Sequence, residues 1–275
     1  MRVPIERVLF LDIETVPAPE SLQNLEGFLY DHWLKKYDSN RPKELVHLLP
    51  EDYFLEKGGI HALYAQVVCI GLGYFLPDTS DKKHWTWREK VLYNLDERTL
   101  LEEFIEKWNK FRGHALSLKS TSFDSTYEPA WIVCGHNIRR FDLPFLGRRL
   151  LMQGLNLPEF WYAAQYSQPW QLKDPAIWDT MQMWGFASSE STFVSLEVLA
   201  QALGIPFQKS ITHTQIRESF YRWKKEGKEE EFKPVLTYCQ TDVRVTAKIF
   251  VRMQLPRDEQ EAFFQAMGYP SDSEL

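Results

Sequence analysis

Short apolar runs alternate along this chain with longer stretches that carry helical periodicity. Residues 8–13 (VLFLDI) are an almost unbroken apolar run, the pattern of a buried strand. Residues 66–75 (QVVCIGLGYF) predict a second buried strand, and the alternation in 84–88 (HWTWR) predicts a half-exposed third. Leu100, Leu101, Phe104, Ile105 and Trp108 recur at helical spacing, which predicts an amphipathic helix over 98–111. Residues 131–134 and 176–179 predict two further strands. A helix over 143–153 has Pro144 in its first turn and Gly154 just past its end. Others are expected over 195–203 (stopped by Gly204 and Pro206), 214–225, 234–253 and 257–267. The polar, aromatic stretch 25–57 is read as helical over 25–36 and closed by Gly58-Gly59, and the Ser/Thr-rich stretch 113–128 as a surface loop.

Three early strands, a helix, then strand–helix–strand–helix is an α/β order with a mixed sheet of five strands flanked by helices. Strands in direct succession pair antiparallel, and strands reached across helices pair parallel. No linker or internal repeat divides the chain, so residues 1–275 are expected to form a single domain. Residues 16–64 are then an insertion, and 254–275 a C-terminal helix and tail.

Composition narrows the function classes. At 44% hydrophobic and 25% charged, this is an ordinary globular chain. Aromatics reach 15% with 10 Trp, an excess read chiefly as core packing, with a stacking surface for bases as the sharper alternative. A net charge of −6 argues against residence on duplex DNA by counterion release, but metal ions could supply local positive charge to an enzyme that grips a nucleic-acid end. Cys69, Cys134 and Cys239 are odd in number and far apart, which predicts reduced thiols and no zinc framework. With no secretory h-region and no apolar run long enough for a membrane, the expected location is cytoplasmic.

Two carboxylates, Asp12 and Glu14, close the first apolar run. Strand side chains alternate faces, so the two share a face, where they repel each other and lose hydration. A divalent cation relieves both costs, and D-x-E on a strand therefore reads as half of a metal site; turn-forming acids are the plainer alternative. On the last long helix, Asp242 falls on the apolar stripe Tyr238, Val245, Ile249 and needs a partner, unless it sits at the margin and reaches water. Asp142 precedes Pro144 and alone would read as a helix cap. Asp179, ending the fifth strand, is read as a structural hydrogen-bonding group, and Arg139 and Arg140 as solvated charges within reach of a phosphate.

Together these signals resemble the DEDD superfamily of 3′–5′ exonucleases (the DnaQ-like group), built on the ribonuclease-H-like fold. D-x-E matches Asp12 and Glu14, N-x-x-x-F-D matches Asn137, Phe141 and Asp142, and Y-x-x-x-D matches Tyr238 and Asp242. Thr237 stands five before Asp242, so the motif is the tyrosine version, DEDDy, rather than the histidine one. The text is most similar to bacterial proteins described as predicted exonucleases related to the proofreading domain of family-B DNA polymerases, least so over 18–58 and 205–232. The resemblance implies two divalent cations, Mg²⁺ or Mn²⁺. Asp12 would bridge both, Glu14 and Asp242 would hold the one carrying the attacking water, and Asp142 would serve the second. It also implies that Tyr238 orients that water, and that Thr15, Asn137 and Phe141 lie near the terminal nucleotide, although Phe141 on its own reads as core. The expected partner is nucleic acid with a free 3′ end, single-stranded DNA above all. An RNA-trimming enzyme of the same branch and a non-catalytic nucleic-acid-binding module on the same fold remain as alternatives.

Overall fold

The computed structural model describes residues 5–40, 43–45, 47–78, 84–118, 129–188 and 193–268. β1 (Val8–Pro17), β2 (Ala65–Pro77), β3 (Trp85–Tyr93), β4 (Ile132–Gly135) and β5 (Ala176–Asp179) form one sheet in the order β3-β2-β1-β4-β5. The β1–β2 and β2–β3 pairs are antiparallel, and β1–β4 and β4–β5 are parallel, so the mixed five-stranded α/β architecture is the expected one. The helices are α1 (Gly27–Asn40), α2 (Pro50–Lys57), α3 (Glu97–Ser117), α4 (Asp142–Met152), α5 (Glu159–Ala164), α6 (Thr180–Trp184), α7 (Leu196–Ala202), α8 (His213–Glu226), α9 (Lys233–Gln254) and α10 (Arg257–Ala266).

Alternation along β1 sorts its side chains between two cores. Leu9, Leu11 and Ile13 pack with Leu101, Phe104 and Trp108 of α3 and Leu146 and Leu150 of α4. Val8 and Phe10 pack with Val243, Ala247 and Phe250 of α9. Even-numbered positions thus face α9, and Asp12 and Glu14 inherit that side.

Two glycines set how closely α9 approaches. A Cβ at Gly71 would lie 2.6 Å from Val243 Cγ2 and 3.0 Å from Cys239 Sγ, and one at Gly73 would lie 2.9 Å from Val243 Cγ1. Both positions are on β2, with Gly71 opposite Asp12 in the ladder. On the other face, Glu97 in the first turn of α3 is a buried clamp. It accepts from the Val67 N–H (2.8 Å) and from Arg149 Nε (2.9 Å), while the same guanidinium donates to the Ala62 carbonyl (2.8 Å). Removing one partner of such a buried pair typically costs about 3–5 kcal/mol.

Most of the aromatic excess is packing. Trp108 sits 4.8 Å from Trp131 and 4.6 Å from Trp161 between ring centroids, and Trp33 anchors a smaller cluster with Tyr53, Phe54 and Tyr64.

Several boundaries differ from the sequence reading. β1 runs on to Pro17 because β2 keeps pairing with it there, past a register slip between Glu14 and Thr15. The acids are therefore inside the strand rather than at its end, and residues 16–17 belong to the sheet. α3 continues to Ser117, into the stretch read as a loop, and 119–128 and 269–275 lie outside the described residues. Helices α2, α5 and α6 were not expected. At eight, six and five residues they span too few turns to show a period.

Gly71→Ala should destabilise the chain by about 1–3 kcal/mol through overpacking, seen as a lower urea midpoint at unchanged slope. Val243→Ala should cost less in that background than in the parent. Additive effects of the two substitutions would mean that α9 does not press on β2 at this point.

Candidate active site

Four carboxylates converge where β1, α4 and α9 meet. Asp12 and Glu14 come from β1, and Asp242 from α9. One carboxylate oxygen from each of these three lies within 4.8 Å of the others. Asp142, the first residue of α4, joins them from the adjoining turn. Its Oδ1 accepts the N–H of Ile13 (3.1 Å), so it ties α4 to β1 instead of capping its own helix. All four line a cleft of about 310 Å³.

The electrostatics are those of a site built for a cation. Burial, with Glu14, Asp142 and Asp242 beside it, drives the Asp12 carboxyl well above the usual range. Glu14 is pushed up to about 8 by burial and then by Asp242, with Lys209 opposing. Asp142 rises to about 7 by burial, held back by backbone N–H groups, that of Ile13 among them. Asp242 also rises to about 7 by burial, opposed by the Tyr238 hydroxyl and by Lys209. Asp242 Oδ1 is buried and has no hydrogen-bond partner. Several buried carboxylates with an orphaned oxygen and only partial relief from one lysine fit a hard divalent cation, which prefers oxygen donors. Soft ligation is a poorer match, because Cys239 has its Sγ 3.9 Å from Asp12 Oδ2 and the adjoining Cys69 thiol, then burial, hold its proton on.

Tyr238 lies one helical turn before Asp242 on α9, is buried, and lines the same cleft beside it. Burial, then Asp242 and Glu14, raise its pKa far above the ordinary tyrosine value, so the hydroxyl keeps its proton. Lys209 Nζ stands 5.7 Å from the centre of its ring.

The remaining sequence candidates have mixed placements. Thr15 lines the cleft, but its hydroxyl donates to the Gly59 carbonyl (2.7 Å). Asn137 has a left-handed φ of 61° and a buried, unpartnered Oδ1, and Phe141 is half-buried at the cleft wall. Asp179 accepts from the backbone N–H groups of Asn137 (2.9 Å) and Met181 (3.0 Å), the structural role expected of it. Arg139 is half-buried against Ile177 rather than solvated.

Sequence reading missed Lys209, His213, His136, Phe193, Phe207 and Ile60, all of which line the cleft. Lys209 falls in an irregular stretch where periodicity gives no address, and His213 is the first residue of α8, at the edge of the periodic segment. The His136 ring donates from Nε2 to the Val194 carbonyl (2.8 Å), with Nδ1 2.9 Å from the Thr180 hydroxyl, and so fastens the segment carrying Phe193. Its position directly before Asn137 was the one available signal.

A family model described as the RNase H superfamily matches residues 55–254, most of the chain. The chain belongs to the RNase H superfamily. The matched span contains Asn137, Phe141, Asp142, Tyr238 and Asp242 but begins after Asp12 and Glu14. The RNase H assignment and the acidic cluster are thus partly independent observations, and together they are compatible with metal-dependent nuclease activity on nucleic acids. No curated protein matches the chain. Among the described residues no helix is long and apolar enough to cross a membrane.

The four acids have folded pKa values raised above their unfolded ones, so the folded chain holds these protons more tightly. The stability they contribute is complete below about pH 4, the unfolded carboxylate range, and is lost as the pH rises through about 7 and 8. The metal-free protein should therefore melt several degrees lower at about pH 8 than at about pH 5. Mn²⁺ should recover the loss, and Asp12→Asn should weaken the slope and leave the metal-free melting temperature unchanged or higher. A large fall in melting temperature for Asp12→Asn would show that this carboxylate is structural.

Proposed function

We propose that the protein is a DEDDy-type 3′–5′ exonuclease, related to the proofreading domain of family-B DNA polymerases. It hydrolyses the 3′-terminal phosphodiester of single-stranded DNA and releases nucleoside 5′-monophosphates. The observation that carries this reading is the pairing of Tyr238 with Asp242 on one face of α9, directly beside Asp12 and Glu14. A bare acidic triad suits many hydrolases, whereas a protonated tyrosine at its edge suits the positioning of a water.

Asp12, Glu14, Asp142 and Asp242 would hold two divalent cations, Mg²⁺ or Mn²⁺. When bound, such ions lower the pKa of water and offset charge on the leaving oxygen. The protein's own residues do the rest. Burial and its acidic neighbours favour the protonated form of Tyr238, which supports a role for its hydroxyl in orienting the attacking water rather than as general base. The hydrogen bond of Asp142 to the β1 backbone fixes the fourth carboxylate without spending a side-chain partner. Asn137 and Phe141 line the cleft where the terminal nucleotide would sit, and Thr15 holds the cleft wall through Gly59.

We read residues 1–275 as one exonuclease domain; of the expected insertion 16–64, residues 16 and 17 belong to β1, which leaves 18–64 inserted. Two observations support this reading: the inserted stretch returns to the site at Gly59, and Arg217 of α8 donates to the Leu55 carbonyl of α2 (3.3 Å). Three buried free cysteines agree with a cytoplasmic setting.

The direct test incubates end-labelled single-stranded DNA and RNA of one sequence with Mg²⁺ or Mn²⁺ and resolves the products by length. A ladder shortening from the 3′ end of DNA is expected, and a chelator should stop it while circular dichroism stays native. Failure to bind Mn²⁺ in a titration would reduce the protein to a binding module, and trimming of RNA alone would move it to the RNA branch. Tyr238→Phe should lower the single-turnover rate by about 10²-fold with KM little changed. An unaltered single-turnover rate would return Tyr238 to the core.

A further inference from the structure

A second groove shares the 137–144 turn with the cleft. Asn137, Phe141 and Asp142 line the cleft, while Arg139, Leu143 and Pro144 line the groove, which runs between α4 and α5 and encloses about 370 Å³. Its walls are mainly apolar, with Leu151, Leu157 and Phe160 among them, yet two guanidinium groups, Arg139 and Arg148, open onto it. Arg139 donates from a terminal nitrogen to the Ile177 carbonyl, but its Nε–H is buried with no acceptor. Burial presses the Arg139 guanidinium below its ordinary pKa, so an anion in the groove would relieve it. Arg148 is exposed. The acid at the start of α5, Glu159, is already engaged by Arg112 (3.2 Å).

Three exposed aromatics are chain neighbours of the groove-lining Trp161, Ala164, Gln165 and Ser167, though outside the lining itself. Tyr162 of α5, and Tyr166 and Trp170 just after it, are 63%, 77% and 74% exposed, and the two tyrosine rings lie 5.8 Å apart. A guanidinium with one unanswered N–H and an exposed one on the same groove, near solvent-facing rings, are the combination that suits a polymer of alternating phosphates and bases.

We infer that this groove binds the unpaired nucleic-acid segment 5′ of the bond to be cut, with phosphates at Arg139 and Arg148 and bases against Tyr162, Tyr166 and Trp170. The inference rests on the nuclease reading for its direction along the strand. Continuity with the cleft through a single turn favours nucleic acid over a peptide. With a net charge of −6 on the whole chain, attraction for a polyanion must be local, and this groove supplies it. The consequence is a substrate-length dependence: oligonucleotides that reach the groove bind better than those that fill only the cleft.

Binding and turnover are tested separately on the full chain. Fluorescence anisotropy in a chelator measures affinity for labelled single strands of about 4 and about 12 nucleotides, and hydrolysis of the same strands is followed with Mn²⁺. The parent should bind the longer strand at least about tenfold more tightly. Arg148→Glu should remove most of that advantage and make the salt dependence shallower, with Tyr166→Ala weakening it to a lesser degree. Both side chains are exposed, so melting temperatures should hold. Equal affinity of the parent for both lengths, or an Arg148→Glu chain that binds the long strand as the parent does, would overturn the proposal and leave the groove to another ligand, such as a peptide. Length-dependent binding without hydrolysis would sink the nuclease reading and leave the groove standing. Hydrolysis without length-dependent binding would do the reverse.

Discussion

The close approach of one helix to one strand organises this molecule. α9 lies on β2 at a distance that only glycine at 71 and 73 permits, because a methyl group at either position would collide with Val243. That contact brings Asp242 within coordination distance of Asp12 and Glu14, and it brings Tyr238 with it one turn earlier. The same helix carries Val243, Ala247 and Phe250 into one core and Val245 and Ile249 into another. Helix, sheet and acidic site are therefore one packing problem, and a change at any of the three positions is felt by the other two.

The opposite face of the sheet solves a different problem with similar economy. Glu97 and Arg149 are both nearly dry, and a pair of that kind is expensive unless each lone pair and each proton finds a partner. Here the carboxylate also receives the Val67 N–H, and the guanidinium also reaches the Ala62 carbonyl. α3, α4, β2 and the segment entering β2 are thereby locked together behind the cleft. The contrast between the two faces is instructive. Behind the sheet the buried charges are mutually satisfied, whereas at the site Lys209 offsets only Glu14 and Asp242, and Asp242 Oδ1 is left without a partner.

Much of this was legible in the sequence, for reasons that can be named. Period-two alternation placed Asp12 and Glu14 on one side of β1, and helical spacing placed Tyr238 and Asp242 together on α9. The four strands after β1 were located as well, β2, β4 and β5 from short apolar runs and β3 from its alternation. What escaped has physical causes too. Helices α2, α5 and α6 are too short for periodicity, and the continuation of β1 to Pro17 depends on a partner strand some fifty residues away. Lys209 reaches the cleft from the irregular connection before α8, and His213 from the first position of that helix, where a helical period has yet to show. Asp142 was correctly singled out, but its bond to the Ile13 N–H crosses between elements and leaves no local trace.

The unpartnered Asp242 oxygen and its crowded neighbours also bear on how long the molecule survives. A ligand that binds only the folded chain adds RT ln(1 + [L]/Kd) to its stability, and a site held together against repulsion in the ligand's absence gives that expression its largest leverage. With a divalent cation as that ligand, as proposed above, the folded fraction would track its supply. Scarcity would first appear as a greater share of transiently opened molecules, the form that proteases cut, so that abundance as well as turnover becomes a reading of metal status.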